Sequence, residues 1–279
     1  MDKASVIGLG GGALVLAGAL LLAQVPAAIL LQPEALLMVF GGTLCATLVS
    51  FPGRILSATP DAFRKGLLQT AYNPLETSQE LIQIAHFVRF EGPLPLQTMI
   101  AEVGQPVLRK GLSLIVDNSN EALVQHSLAT EIEVIYRQAQ EEARVFETAG
   151  GYAPTMGIIG AVIGLIHVIH DFHNPTLLGE GVAAAFSATL YGVALANLIL
   201  LPMASRLRQQ ARDEYFINTL ILEGILSIHR GEHPLLLEEK LNAFVSKKGY
   251  ISPPGQHTAE RKAIQREVSE ADPLATLGY

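Results

Sequence analysis

Residues 150–169 read GGYAPTMGIIGAVIGLIHVI. The stretch has no Asp, Glu, Lys or Arg, carries Pro154 near its start, and repeats glycine at Gly157, Gly160 and Gly164. In a water-soluble helix each interior glycine costs about 1 kcal/mol relative to alanine. In lipid the same glycines let a second backbone approach closely, and Gly160 with Gly164 forms the G-x-x-x-G spacing that does so. Gly157 and Ala161 lie on nearly the same face. The stretch therefore reads as a membrane helix with a small-residue packing face. That face either packs a neighbour within the chain or joins an interface shared by several helices around a pore. Pro154 is expected in the first turn of its helix, where a missing N–H costs little.

Working outward, the rest of the chain agrees with a membrane protein. Of 279 residues, 49% are hydrophobic and 16% charged, against about 25% charged in soluble domains. Three more apolar runs occur, at about Ala4–Gln24, Glu34–Phe51 and Val182–Met203. Each approaches the roughly 20 residues a helix needs to cross the hydrocarbon core. The first is not read as a cleaved signal, because no small-x-small site precedes a polar mature start and a second apolar run follows closely. The expectation is an all-α membrane protein with four transmembrane helices in two hairpins. Residues 1–53 form the first hairpin, 54–150 a cytoplasmic helical domain, 151–204 the second hairpin, 205–250 cytoplasmic helices and 251–279 a disordered tail.

Orientation follows from the basic residues. All 19 Lys and Arg fall at Lys3, within 54–150 or beyond Ser205, and the connectors at 25–33 and 170–181 hold none. Positive charge stays inside, so both termini and the middle segment are expected in the cytoplasm. Helical periodicity marks 61–72, 76–90, 121–149, 206–231 and 235–244, with breaks at Asn73-Pro74 and Glu91-Gly92-Pro93.

Several functions are excluded or disfavoured. The net charge of −7 and the absence of a basic patch with interleaved aromatics argue against nucleic-acid binding. No phosphate loop, nucleophile elbow or zinc-spaced cysteine set points to an enzyme or a cofactor. Cys45, the single cysteine, reads as a small packing residue. His167, His170 and His173 share a helical face, but a metal would need a further ligand, so they read as interfacial histidines and no metal site is assigned. Glu141-Glu142 reads as a solvated helix face.

The spans themselves lack a proton carrier. No ionisable side chain that titrates near neutral pH occurs between Gly151 and Ile166 or between Val182 and Met203. Intramembrane carboxylates are costly and usually functional. An ion crossing here must use a group from another chain, which argues against a self-contained transporter. The polar residues in the spans are Thr43, Thr47, Thr155, Ser187, Thr189, Tyr191 and Asn197. A threonine hydroxyl commonly bonds its own preceding turn. Thr189, near mid-helix, is the best candidate to line a wet cavity. Pro154 and Pro202, at the cytoplasmic ends of paired helices, are candidate hinges.

GGYAPTMGIIGAVIGLIHVI and ATLYGVALANLILLPMASRLR resemble the third and fourth membrane helices of the MotA/PomA family of flagellar motor stator subunits. VFGGTLCATLVSFP resembles its second, and VRFEG with LRKGLSLIVDNSN its cytoplasmic block. The resemblance runs from about 5 to 245. It implies a ring of five subunits around two copies of a MotB-type partner anchored to peptidoglycan, whose aspartate carries the ion. It further implies that cytoplasmic domains push on the rotor protein FliG. By position, Pro154 and Pro202 match prolines tied to ion-driven change, and Thr189 matches the threonine beside the partner aspartate. Thr155 belongs to the same pathway. Arg89 matches a rotor-facing arginine. The matching glutamate falls at Gln97, and Glu91 or Glu102 would then compensate. Ala161 stands where sodium-driven relatives carry threonine, which implies protons as the coupling ion. A TolQ/ExbB-type subunit, with three helices, is the alternative, and a membrane scaffold without ion flow a third reading.

Overall fold

The computed structural model describes residues 3–24, 31–68, 73–101, 103–170 and 175–247. Every element among them is helical. These are α1 (Lys3–Leu22), α2 (Pro33–Ser50), α3 (Gly53–Leu68), α4 (Pro74–Glu91), α5 (Leu96–Ile100), α6 (Pro106–Val116), α7 (Glu121–His170), α8 (Pro175–Ala194), α9 (Leu201–His229) and α10 (Pro234–Lys247). Three helical stretches are long and apolar enough to cross a membrane: Pro33–Ser50, Glu121–Ile166 within α7, and Leu178–His229 within the α8–α9 rod. A shorter apolar stretch, Gly10–Leu22, lies in α1. Residues 251–279, read above as a disordered tail, lie outside the described residues, as do Glu102, Asp171 and His173.

One expectation is corrected. The helix holding residues 151–169 does not begin near Gly151. It is the last third of α7, an unbroken helix of 50 residues, with Pro154 in its interior. The boundary at 150/151 therefore falls inside one rod. Likewise α8 passes through a wide π turn, Leu195–Leu200, straight into α9, so the boundary at 204/205 also lies within helix. A second π turn, Leu37–Gly41, interrupts α2. In water, Gly-Gly followed by a proline signals a stop. In a membrane, helix is the form that satisfies the backbone, and neighbours accommodate the proline.

The packing has two regimes. Below the membrane, α4, α5, α6, α7, α9 and α10 enclose a core of large aliphatics, including Leu81, Leu108, Leu112, Leu128, Ile221, Ile225 and Leu241. Burying such side chains from water contributes about 1.5–3 kcal/mol each. In the spans the large aliphatics point outward, with Ile158, Ile159, Val162, Ile163 and Ile166 exposed on α7. There the helix contacts are built from glycine and alanine, because lipid offers no hydrophobic drive for helices to associate. Between the two regimes α3 docks through Ala62 on Ala143, Phe146, Met203 and Ala204, and Phe63 stacks on Phe146. Cys45 lies exposed on α2, not packed inside the chain as expected.

Turn chemistry sets the breaks outside the apolar spans. Asn73 caps α4, its side-chain oxygen accepting from the Leu75 N–H at 3.1 Å. The helix ends at Gly92, whose φ of +82° suits glycine.

Candidate functional site

The glycines of α7 meet a matching face on α8. A methyl group on Gly157 would sit 2.9 Å from the Ala188 carbonyl oxygen, and one on Gly164 2.9 Å from that of Gly181. One on Gly192 would sit 2.5 Å from the Ala153 oxygen. One on Gly160 would touch the Ala188 Cβ at 2.9 Å. The α8 face is Gly181, Ala185, Ala188 and Gly192, spaced four, three and four, which is one side of a helix. Of the two readings of the α7 glycines, the geometry is that of packing within the chain. The partner face on α8 carries the same small-residue spacing in sequence as the α7 face.

The candidate residues gather along this seam. The Cα of Pro154 lies 3.2 Å from the Cβ position built on Gly192, and that of Thr189 3.4 Å from the one built on Gly157. Ala161 is one turn beyond Gly157 and half-buried. Pro154 cannot donate to the Gly150 carbonyl four residues back. Pro202 directly follows the wide turn, in which the Leu201 N–H reaches Ala196 O. That wider turn accommodates a proline ring that would otherwise clash with the preceding carbonyl.

Thr189 sits on an exposed stripe of α8 with Val182, Phe186 and Val193, continued by Asn197 in the following π turn. Its hydroxyl donates to Ala185 O at 3.3 Å, and Asn197 donates to Val193 O at 2.9 Å. Thr155, also exposed, donates to Tyr152 O at 2.7 Å. A hydroxyl that donates to its own helix keeps a lone pair for an incoming donor. Such a group can receive a hydrogen bond from a protonated acid on a neighbouring helix, but it cannot itself carry the proton. Inside the bundle, Thr43 Oγ1 and Tyr191 Oη are buried with no hydrogen-bond partner. Tyr152 Oη shares a 2.8 Å hydrogen bond with Ser50 Oγ, joining the end of α2 to α7 where the apolar part of α7 begins; no sequence signal marks that pair.

A second group lies well away, at the α4–α5 corner. Arg89 is exposed in the last turn of α4, Glu91 is exposed at its end, and Gln97 is exposed on α5. Phe90 and Leu94 beside them are 83% and 70% exposed. Among charged groups outside the apolar spans, burial pushes the Glu214 carboxyl up, with Lys65 opposing and Glu142 adding to the shift. Lys240 and then Ser227 hold Glu232 down through hydrogen bonds. Among the described residues no group of His, Cys, Asp and Glu is arranged to hold a metal.

Residues 100–216 match the model of the MotA/TolQ/ExbB proton channel family. Motility protein A of Bacillus subtilis is 33% identical over 252 residues, spanning 89% of this chain and 92% of that protein. The chain belongs to the MotA/TolQ/ExbB proton channel family. It is a multi-pass membrane protein of that family, a channel component and not an enzyme. The chemotaxis protein PomA of Vibrio alginolyticus is 28% identical, with 88% of this chain and 96% of PomA covered. The solved flagellar MotAB stator complex of Bacillus subtilis superposes with a TM-score of 0.81 at 31% identity, over 89% of this chain and 98% of that one. Within the MotA/TolQ/ExbB family these relatives are motility, chemotaxis and stator proteins.

Proposed function

We propose that the chain is the stator subunit of a flagellar motor that forms a proton channel together with a MotB-type partner. The observation that carries this reading is chemical. Between Gly151 and Ile166 and between Val182 and Met203 there is no carboxylate, yet α8 presents Thr189 on an exposed stripe among Val182, Phe186 and Val193, a surface that an acid from another helix would complete. The partner's aspartate would supply the carrier, with Thr189, Thr155 and Ala161 beside its path. Pro154 and Pro202 would let α7 and the α8–α9 rod change shape as the acid gains and loses its proton.

In this reading five copies surround two partner helices, and both termini with residues 54–150 and 205–250 lie in the cytoplasm. Arg89, with Glu91 and Glu102 in support and Gln97 in place of a charge, meets the rotor protein FliG. Protons are the coupling ion, because Ala161 offers no hydroxyl to replace the lost water of a sodium ion. The test is co-expression with a one-span partner bearing a membrane aspartate in a non-motile stator-deleted strain. Swimming and proton uptake should both return, and both should fail when the aspartate is changed to Asn. Full motility with the Asn partner would overturn the reading.

A further inference from the structure

At the level where the apolar spans end, one face of α9 and Glu147 of α7 line a half-open cavity of roughly 230 Å³, its lining including Leu201, Ser205, Arg208, Gln209 and Arg212. Arg208 is paired with Glu147, and Gln209 donates to Asp213 at 3.2 Å. Arg212 has no acidic partner among the described residues. The lining therefore sets two guanidinium groups and the Ser205 hydroxyl against a single carboxylate. It is net positive and rich in donors.

Its depth matters. Glu147 lies four residues before the apolar run that begins at Gly151, or about 6 Å along the helix, Arg208 five residues past Met203, about 8 Å, and Arg212 nine residues past it, about 14 Å, a distance its long side chain shortens by reaching back. The polar layer of one bilayer leaflet is about 5–8 Å thick. Because α9 runs away from the membrane and Cα–Cβ bonds tilt toward a helix N-terminus, Arg208 and Arg212 lean back toward that layer. Leu201, 38% exposed, forms an apolar rim on the membrane side. A phosphate and its glycerol fit this volume, and acyl chains would remain outside along Leu201. Guanidinium groups bind phosphate oxygens in bidentate fashion.

We propose that this cavity binds a phosphate ester, presented as the headgroup of an anionic phospholipid in the adjacent leaflet. Inorganic phosphate shares the chemistry, so the experiment separates the two sources. The full-length protein is placed in nanodiscs of phosphatidylglycerol and phosphatidylcholine in equal parts, released, and its retained lipids are counted by native mass spectrometry. Phosphatidylglycerol should be enriched over phosphatidylcholine. Arg212→Gln should reduce that retention about fivefold, the usual effect of one cationic side chain at a membrane surface. Glu147→Gln removes the opposing carboxylate and frees Arg208, so it should raise retention. This opposite sign separates a charge effect from simple misfolding. Millimolar inorganic phosphate that displaces the lipid would assign the site to soluble phosphate, and failure to displace it would assign it to the headgroup. Equal retention by the parent and Arg212→Gln, or a fall in Glu147→Gln, overturns the proposal.

Discussion

In the proposed function, Pro154 is the residue at which local chemistry and large-scale motion would meet. It sits in the interior of α7, against Gly192 of α8, and leaves a carbonyl of the preceding turn without its helical donor. A proline inside a helix costs about 3 kcal/mol or more. Pro154→Ala should therefore insert and accumulate at least as well as the parent, while swimming in soft agar falls sharply. Pro202→Ala, beside the wide turn, should behave alike. Normal swimming by both, at normal protein levels, would remove the hinge role. At the α4–α5 corner the charge of Arg89 stands without a carboxylate at Gln97. Rim charges act on encounter and register and weaken with salt. Arg89→Glu should lower torque more than Arg89→Ala, and Gln97→Glu should be tolerated. Tethered-cell rotation, with membrane levels checked, decides this; parental rotation by Arg89→Glu would place the contact elsewhere.

Between elements, the α7–α8 seam is the tightest contact in the membrane region. Gly192→Ala drives a methyl into the Ala153 carbonyl at 2.5 Å, which forces backbone to move and should cost about 1–3 kcal/mol. Gly179→Ala meets nothing within 4 Å and should be silent. A thermal melt of the two variants in detergent checks the difference. The seam shows what the sequence can and cannot disclose. The α7 glycines were readable because they recur at helical spacing in a run without charge. The continuity of α7 was not, because Gly150, Gly151 and Pro154 are break signals whose force belongs to water, and lipid overrides them. The π turns leave no trace in composition. Asn73-Pro74 and Glu91-Gly92, in the aqueous part, marked real helix ends. A second contact of this scale is the corner between α9 and α10. Lys240 Nζ lies 2.5 Å from Glu232, and Ser227 also donates to that carboxylate. The Glu232 carboxyl sits below its ordinary value of 4.5. Its contribution is fully present above that value and is lost as pH falls through the lowered folded value. Glu232→Gln should loosen α10 in hydrogen exchange at neutral pH, and the difference from the parent should vanish in acid. Equal exchange at both pH values would show the corner holds without this pair.

For the whole molecule, the fold class followed from four apolar runs and the placement of 19 basic residues, but the site did not follow from the chain alone. In the proposed function, Thr189 and Ala161 would act only beside a helix from another chain. Vesicles holding this protein by itself should therefore pass no protons above the level of empty vesicles. With a partner present, swimming speed should track the proton-motive force and ignore external sodium; a steep rise with sodium at fixed pH would reverse the assignment of Ala161. The uninterrupted α7 also has a mechanical meaning. From Gly150 to Glu121 the rod extends about 44 Å below the membrane. A tilt of only 10° at its membrane end would sweep the far end through roughly 8 Å, more than the 5.4 Å pitch of one helical turn. In the proposed function the apolar and polar parts of this subunit would then be the short and long arms of one lever, so a proton-scale displacement at the seam would be geared up into a stroke large enough to shift the grip on another protein.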